Sequence, residues 1–114
     1  MPYLKINQDK SKPPFEELDL PEESNLFLEA CYKAIGCDCI EVVPSRFMGL
    51  YLIIDESGKL KDGWSDRINP LASKIYGVWW DNIVGDAILA KASGSDLLPL
   101  NPSDVERVTL LLNK

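Results

Sequence analysis

Histidine is absent from this 114-residue sequence. With it go the commonest general base and every Ser-His or Cys-His nucleophile pair. The phosphate-cradling G-x-x-x-x-G-K-[ST] loop, the dinucleotide-binding G-x-G-x-x-G turn and the zinc-binding H-E-x-x-H helix are missing as well. Cysteine is scarce: Cys31, Cys37 and Cys39. The Cys37-x-Cys39 spacing misses the C-x-x-C of redox and zinc sites, and no second pair completes a ligand set. No catalytic residue, metal site or cofactor is therefore expected, and the thiols are read as small buried hydrophobes. An odd thiol count with no visible secretory signal points to the reducing cytoplasm. Long apolar runs are lacking too. Leu50-Tyr51-Leu52-Ile53-Ile54 is typical of the longest and falls far short of a membrane span.

Positive charge is in deficit, with 12 Lys and Arg against 18 Asp and Glu, a net −6. An acidic surface repels phosphate backbones, so direct nucleic-acid binding is not expected. The positives are scattered, among them Lys5, Lys10, Lys12, Lys33, Arg46, Lys59, Lys61, Arg67 and Lys74. Scattered basic side chains can still line a pocket for an anionic small molecule.

What is present suits a globular domain. The apolar share is 46% and the charged share 26%, and the length fits a single domain over residues 1–114 with a real core. Tyr3 to Gln8 alternates weakly and reads as a first strand; Asp9 to Pro14 reads as a loop, and Phe15 to Leu20 is ambiguous. Pro21-Glu22-Glu23-Ser24 suits a helix first turn. Leu26, Phe27, Ala30, Cys31, Ala34 and Ile35 form its apolar stripe, and Gly36 ends it. Cys37 to Val43 and Leu50 to Asp55 read as strands, with Lys59 to Asp62 returning as a short third. Asn69-Pro70 opens a second helix, and Gly77 stops it. Ile83 to Ala92 reads as a strand and Leu97 to Leu100 as an extended piece. Ser103 and Glu106 have the spacing of a capping box before a C-terminal amphipathic helix. The pattern predicts an α+β fold: a mostly antiparallel sheet of about five strands, with three helices packed on one side.

The stretch from Arg67 to Asp86 concentrates the candidate binding residues. Trp64, Tyr76, Trp79 and Trp80 lie close together in sequence, and aromatic faces stack on purines and attract cations. If Val78-Trp79-Trp80 is extended, the consecutive tryptophans point to opposite sides, leaving one exposed or covered by a partner. Asp86 is the one acid of an apolar strand and needs a partner, for which Arg67 or Lys74 is a candidate. Asp55-Glu56 reads as a solvated turn. Arg46, on the Ser45-Arg46-Phe47 connection, is placed to reach a phosphate or carboxylate.

The central part of the chain resembles a family. The blocks Ile35-Gly36, Ile40-Glu41-Val42-Val43 and Leu52 to Leu60 carry the likeness. They are followed by Asn69-x-x-Ala72-x-x-Ile75-Tyr76-Gly77 and Asp81-x-Ile83-Val84-Gly85-x-Ala87. They are similar to a small domain of unknown function found in phages, plasmids and integrative elements of Gram-positive bacteria. The match runs from Ile35 to Ala90. The resemblance implies a small cytoplasmic accessory protein with no established reaction, of a kind that often blunts host defences. One strategy is a homo-oligomer that sequesters a nucleotide-derived immune signal, cyclic ADP-ribose-like or cyclic dinucleotide. Tyr76, Trp79 or Trp80 would then stack on the base, Arg46, Arg67 or Lys74 would pair with phosphate, and Asn69 or Asp86 would bond a ribose hydroxyl. The alternative is an acidic protein–protein inhibitor that mimics nucleic acid before a nuclease or CRISPR effector. It would use Asp9, Glu16, Glu17, Asp19, Glu22, Glu23 and Glu29.

Overall fold

A computed structural model describes residues 3–78, 80–94 and 96–112, with the backbone alone for 111 and 112. The strands are β1 (Tyr3–Ile6), β2 (Phe15–Leu18), β3 (Ile40–Pro44), β4 (Leu50–Asp55), β5 (Ala87–Ser93) and β6 (Asp96–Leu98). The helices are α1 (Ser24–Ile35), α2 (Pro70–Tyr76) and α3 (Pro102–Leu112). All pairings are antiparallel, in the order β2-β1-β5-β4-β3, with β6 added to β5. The expected α+β architecture is the one observed. Among the described residues no helix is long and apolar enough to cross a membrane.

The register places Val43, Leu52, Leu89 and Leu4 in one row across four strands. Leu52 and Leu89 are completely buried there, and the row packs with Ala72 and Ile75 of α2 and Val108 of α3. The adjacent row, Ile53 and Ile88, points to the other face. It packs with Cys31 and Ile35 of α1. The helices therefore flank both faces, not one side as the pattern predicted. The cause lies in the strands. Ile53-Ile54 and Ala87-Ile88-Leu89-Ala90 are continuously apolar, the pattern of a sheet covered on both faces. A strand with one wet face alternates instead.

Local chemistry explains the ends. Gly36 and Gly77 close α1 and α2 with φ of 80° and 77°, a left-handed conformation that L side chains rarely adopt. Asn69 caps α2 through its side chain, which accepts the Ala72 N–H at 3.0 Å. Three expectations fail at the margins. Lys59 to Asp62 does not return as a strand, because Gly58–Leu60 winds into a 3-10 turn. The strand expected from Ile83 starts only at Ala87, since Val84 bridges Ile68 outside the sheet. Pro21 and the acids beside it precede α1, whose first turn contains no acid.

Candidate functional site

Lysines gather where the chain leaves the sheet after β1. The N–H of Asn7 donates to the Pro14 carbonyl at 3.1 Å. Its Nδ2 donates to the Pro13 carbonyl at 2.7 Å and to Glu16 Oε1 at 2.6 Å. These bonds fold the 8–14 loop back toward α2. Between loop and helix lies a recess of about 430 Å³. Pro14, Pro70 and Leu71 give it apolar walls, and Lys10, Lys12 and Lys74 are exposed along it. Asp9 is the one acid at the recess, and Ser11 engages it through N–H at 2.9 Å and hydroxyl at 2.8 Å. The Ser11 N–H bond, with smaller help from its hydroxyl and from Lys12, holds the Asp9 carboxyl below its usual pKa. Three ammonium groups around one opening, on a chain of net −6, make a local positive field in an acidic molecule. Asn7 Oδ1 is buried and has no donor among the described residues.

Of the residues chosen from sequence, Lys74 and Asn69 border this recess. Asn69 is fully buried and its polar atoms are spent internally. Nδ2 donates to the carbonyls of Ile6 at 3.1 Å and Gly85 at 3.0 Å while Oδ1 caps α2. It is an anchor of the fold, with no donor left over for a ribose hydroxyl. Asp86 stands at the root of the loop. Its Oδ1 accepts the Gln8 N–H at 2.8 Å, and Lys5 Nζ lies 3.7 Å from Oδ2. The partner expected from Arg67 or Lys74 is thus supplied by Lys5 of β1 and by Gln8 in the loop that follows it.

The others lie elsewhere. Arg46 is exposed; its N–H donates to the Ile75 carbonyl at 2.9 Å, and its stem lies against Gly77. Arg67 is half-buried beside Gly85, with no carboxylate within 4.0 Å of its guanidinium among the described residues. Tyr76 lines a separate cavity of about 150 Å³ with Glu41, Asp55, Glu56 and Asp81 against one lining cation, Lys59, which pairs with Asp81, so the surroundings are net acidic. Trp80 is 72% exposed, and Trp79 lies outside the described residues. The seven described positions do not converge on one cavity. Asp55 also departs from expectation. It is not solvated but buried, accepting the Ser57 N–H at 2.9 Å and pairing with Lys61 at 2.7 Å.

A model of the family described as a domain of unknown function, DUF3846, matches residues 1–113. The chain belongs to the DUF3846 family. No curated protein and no solved structure matches it. The DUF3846 match extends well beyond the Ile35 to Ala90 stretch. It takes in the loop bearing Lys10 and Lys12, which in the sequence are two of the scattered positives. The signal for them was local: Lys10-x-Lys12 directly before Pro13-Pro14, a loop whose folding point the prolines mark.

The thiols divide by environment. Cys31 is buried, Cys37 half-buried and Cys39 exposed, so the expectation of three buried thiols fails at Cys39. Cys37 and Cys39 precede β3, which begins at Ile40. Burial first, then the neighbouring Cys37, pushes the Cys31 thiol up to about 11.

Proposed function

We propose that this protein binds and holds, without altering it, a nucleotide-derived anionic small molecule of the cyclic dinucleotide or cyclic ADP-ribose type. The observation that supports this reading is the recess bounded by Lys10, Lys12 and Lys74 on an otherwise acidic chain. Its volume falls within the range usual for small-molecule sites. Lysine ammonium groups engage phosphate as point charges, and Pro14, Pro70 and Leu71 offer apolar surface for a ring. Lys10, Lys12 and Lys74 would pair with phosphate, and Arg46 and Arg67 lie away from the recess. In this reading the protein is a non-enzymatic accessory protein of a phage or other mobile element. It acts as a homo-oligomer in the bacterial cytoplasm, where withdrawing such a signal blunts host defence. Calorimetry against a panel of cyclic dinucleotides and cyclic ADP-ribose tests it. Binding with the ligand recovered intact is expected; no heat with any of them, in a folded sample, overturns it.

A second reading, the acidic inhibitor of a nuclease, draws on Glu17, Asp19, Glu22, Glu23 and Glu29. All are exposed, and no basic side chain lies within 4.0 Å of them among the described residues. Asp9 and Glu16 are already engaged by Ser11 and Asn7. Charge reversal across residues 16–23 should abolish a salt-sensitive complex with a nuclease; unchanged inhibition would rule this surface out.

A further inference from the structure

A groove of about 610 Å³ runs between β6 and the entry to α1. Tyr3, Phe27, Leu28, Leu97 and Leu98 give it an apolar lining, and Leu28 and Leu98 remain 39% and 40% exposed. We infer that it receives an extended peptide segment of another protein, carrying an apolar residue flanked by lysine or arginine.

The topology explains why the groove is open. β4 occupies one edge of β5, so β1 and β6 share the other, one after the next. The column beyond β1 is filled by β2, which ends at Leu18. The chain then turns away through Pro21 into α1. The column beyond β6 has no strand among the described residues, and the groove lies where one would sit.

The edge of β6 has backbone groups turned toward this place. A two-residue connection makes Ser93 and Asp96 the hydrogen-bonded pair of the hairpin, and Leu97 opposite Ala92 the non-bonded one. The N–H and carbonyl of Leu97 therefore point off the free edge. The Tyr3 hydroxyl donates to that carbonyl at 3.4 Å, which confirms its direction. The Leu97 N–H is the donor an added strand would use.

Charge selects the occupant. Glu22 and Asp96 stand on the groove, both exposed, with no cation within 4.0 Å among the described residues. Carboxylates over an apolar lining favour a peptide whose apolar centre has basic flanks and disfavour an acidic one. The groove lies on the α1 face and does not rest on the lysine-bordered recess, so either assignment stands without the other.

The test uses the ¹⁵N-labelled protein and two end-blocked synthetic peptides, Lys-Val-Leu-Val-Lys and Glu-Val-Leu-Val-Glu. The lysine peptide is expected to shift the amides of Leu28, Leu97 and Leu98 and to bind about tenfold tighter than the glutamate peptide. The double variant Glu22→Lys with Asp96→Lys should reverse that preference. Leu98→Glu, at an exposed position, should abolish binding by both peptides, with amide shifts elsewhere unchanged. Equal affinity for the two peptides would overturn the inference, as would shifts confined to other acidic surfaces. Movement of the Leu97 amide on dilution of the protein alone would overturn it in favour of a second copy of the chain.

Discussion

The side-chain amide of Asn69 donates to the carbonyl of Ile6 at 3.1 Å, across 63 positions of the chain. The same side chain reaches Gly85 and caps α2. Ser73 completes the knot: its N–H and hydroxyl both donate to the Asn69 carbonyl, at 2.9 and 2.7 Å, and its Oγ accepts the Ile83 N–H at 2.8 Å. β1, α2 and the approach to β5 are thereby held at one buried point. Asn69→Ala removes the cap and strands two buried carbonyls. A loss of about 3 kcal/mol is expected in urea unfolding. Asn69→Asp should cost at least as much at neutral pH, because its second carboxylate oxygen would face the Ile6 and Gly85 carbonyls in a fully buried site with no proton to donate. A loss under about 1 kcal/mol for the alanine variant would contradict the anchoring role.

The lysine recess predicts which charges govern ligand affinity. Lys10→Glu, Lys12→Glu and Lys74→Glu should each weaken binding of a cyclic dinucleotide about tenfold, with stability changed by no more than about 0.5 kcal/mol. Arg46→Glu and Arg67→Glu, away from the recess, should leave affinity unchanged. Affinity should also fall with added salt, because the lysines are exposed. Calorimetry on the Lys10, Lys12, Arg46 and Arg67 variants separates this site from the arrangement read from sequence, in which Arg46, Arg67 or Lys74 pairs with phosphate and Tyr76, Trp79 or Trp80 stacks on the base; Lys74 is common to both.

Gly36 and Gly77 allow a matched comparison. Both adopt left-handed φ, but a Cβ added at Gly36 meets nothing within 4 Å. At Gly77 it would lie 3.0 Å from Arg46 Cβ. Gly36→Ala should cost about 1 kcal/mol from backbone strain alone. Gly77→Ala should cost more, about 2 kcal/mol, because the β3–β4 connection must also shift. Equal losses, read by urea unfolding, would mean the connection yields freely.

Features decided within a few residues were legible in the sequence. Asn69-Pro70 and Gly77 delimit α2 as read, because a cap and a left-handed stop are local chemistry. The same logic holds at the start of α3, two residues before the Ser103 and Glu106 spacing. There Asn101-Pro102 repeats the Asn69-Pro70 pattern. Asn101 Oδ1 accepts the Asp104 N–H at 2.9 Å, and Asp104 Oδ2 accepts the Asn101 N–H at 3.2 Å. The reciprocal cap is Asn101 with Asp104, not Ser103 with Glu106, since proline takes the first helical position. Asp104 is buried because it also faces Lys91 of β5 at 3.6 Å, a tertiary pairing that no local spacing reveals. The recess was hidden for the same reason. Lys10 and Lys12 meet Lys74 only once Asn7 folds the loop and Asn69 pins α2 to β1. Trp80 and Tyr76 were close in sequence, which says little about convergence when a helix ends between them at Gly77.

The thiols supply a prediction in pH. Cys31 is buried and its pKa is raised to about 11, mainly by burial. In the unfolded chain it titrates near the ordinary thiol value. Between the two values the unfolded state binds fewer protons, so stability falls as pH rises. The contribution is whole below about pH 8.5 and is lost progressively toward pH 11, on the order of 2 kcal/mol. Cys31→Ala should flatten that part of the stability profile while lowering it overall through the cavity it leaves. The order of alkylation follows from the same burial. Cys39 is exposed and should be modified by iodoacetamide in the native protein, whereas Cys31 should react only through unfolding. Mass spectrometry of peptides after brief labelling distinguishes them. Equal labelling of Cys31 and Cys39 under native conditions would show that α1 does not stay packed on the Ile53 and Ile88 row.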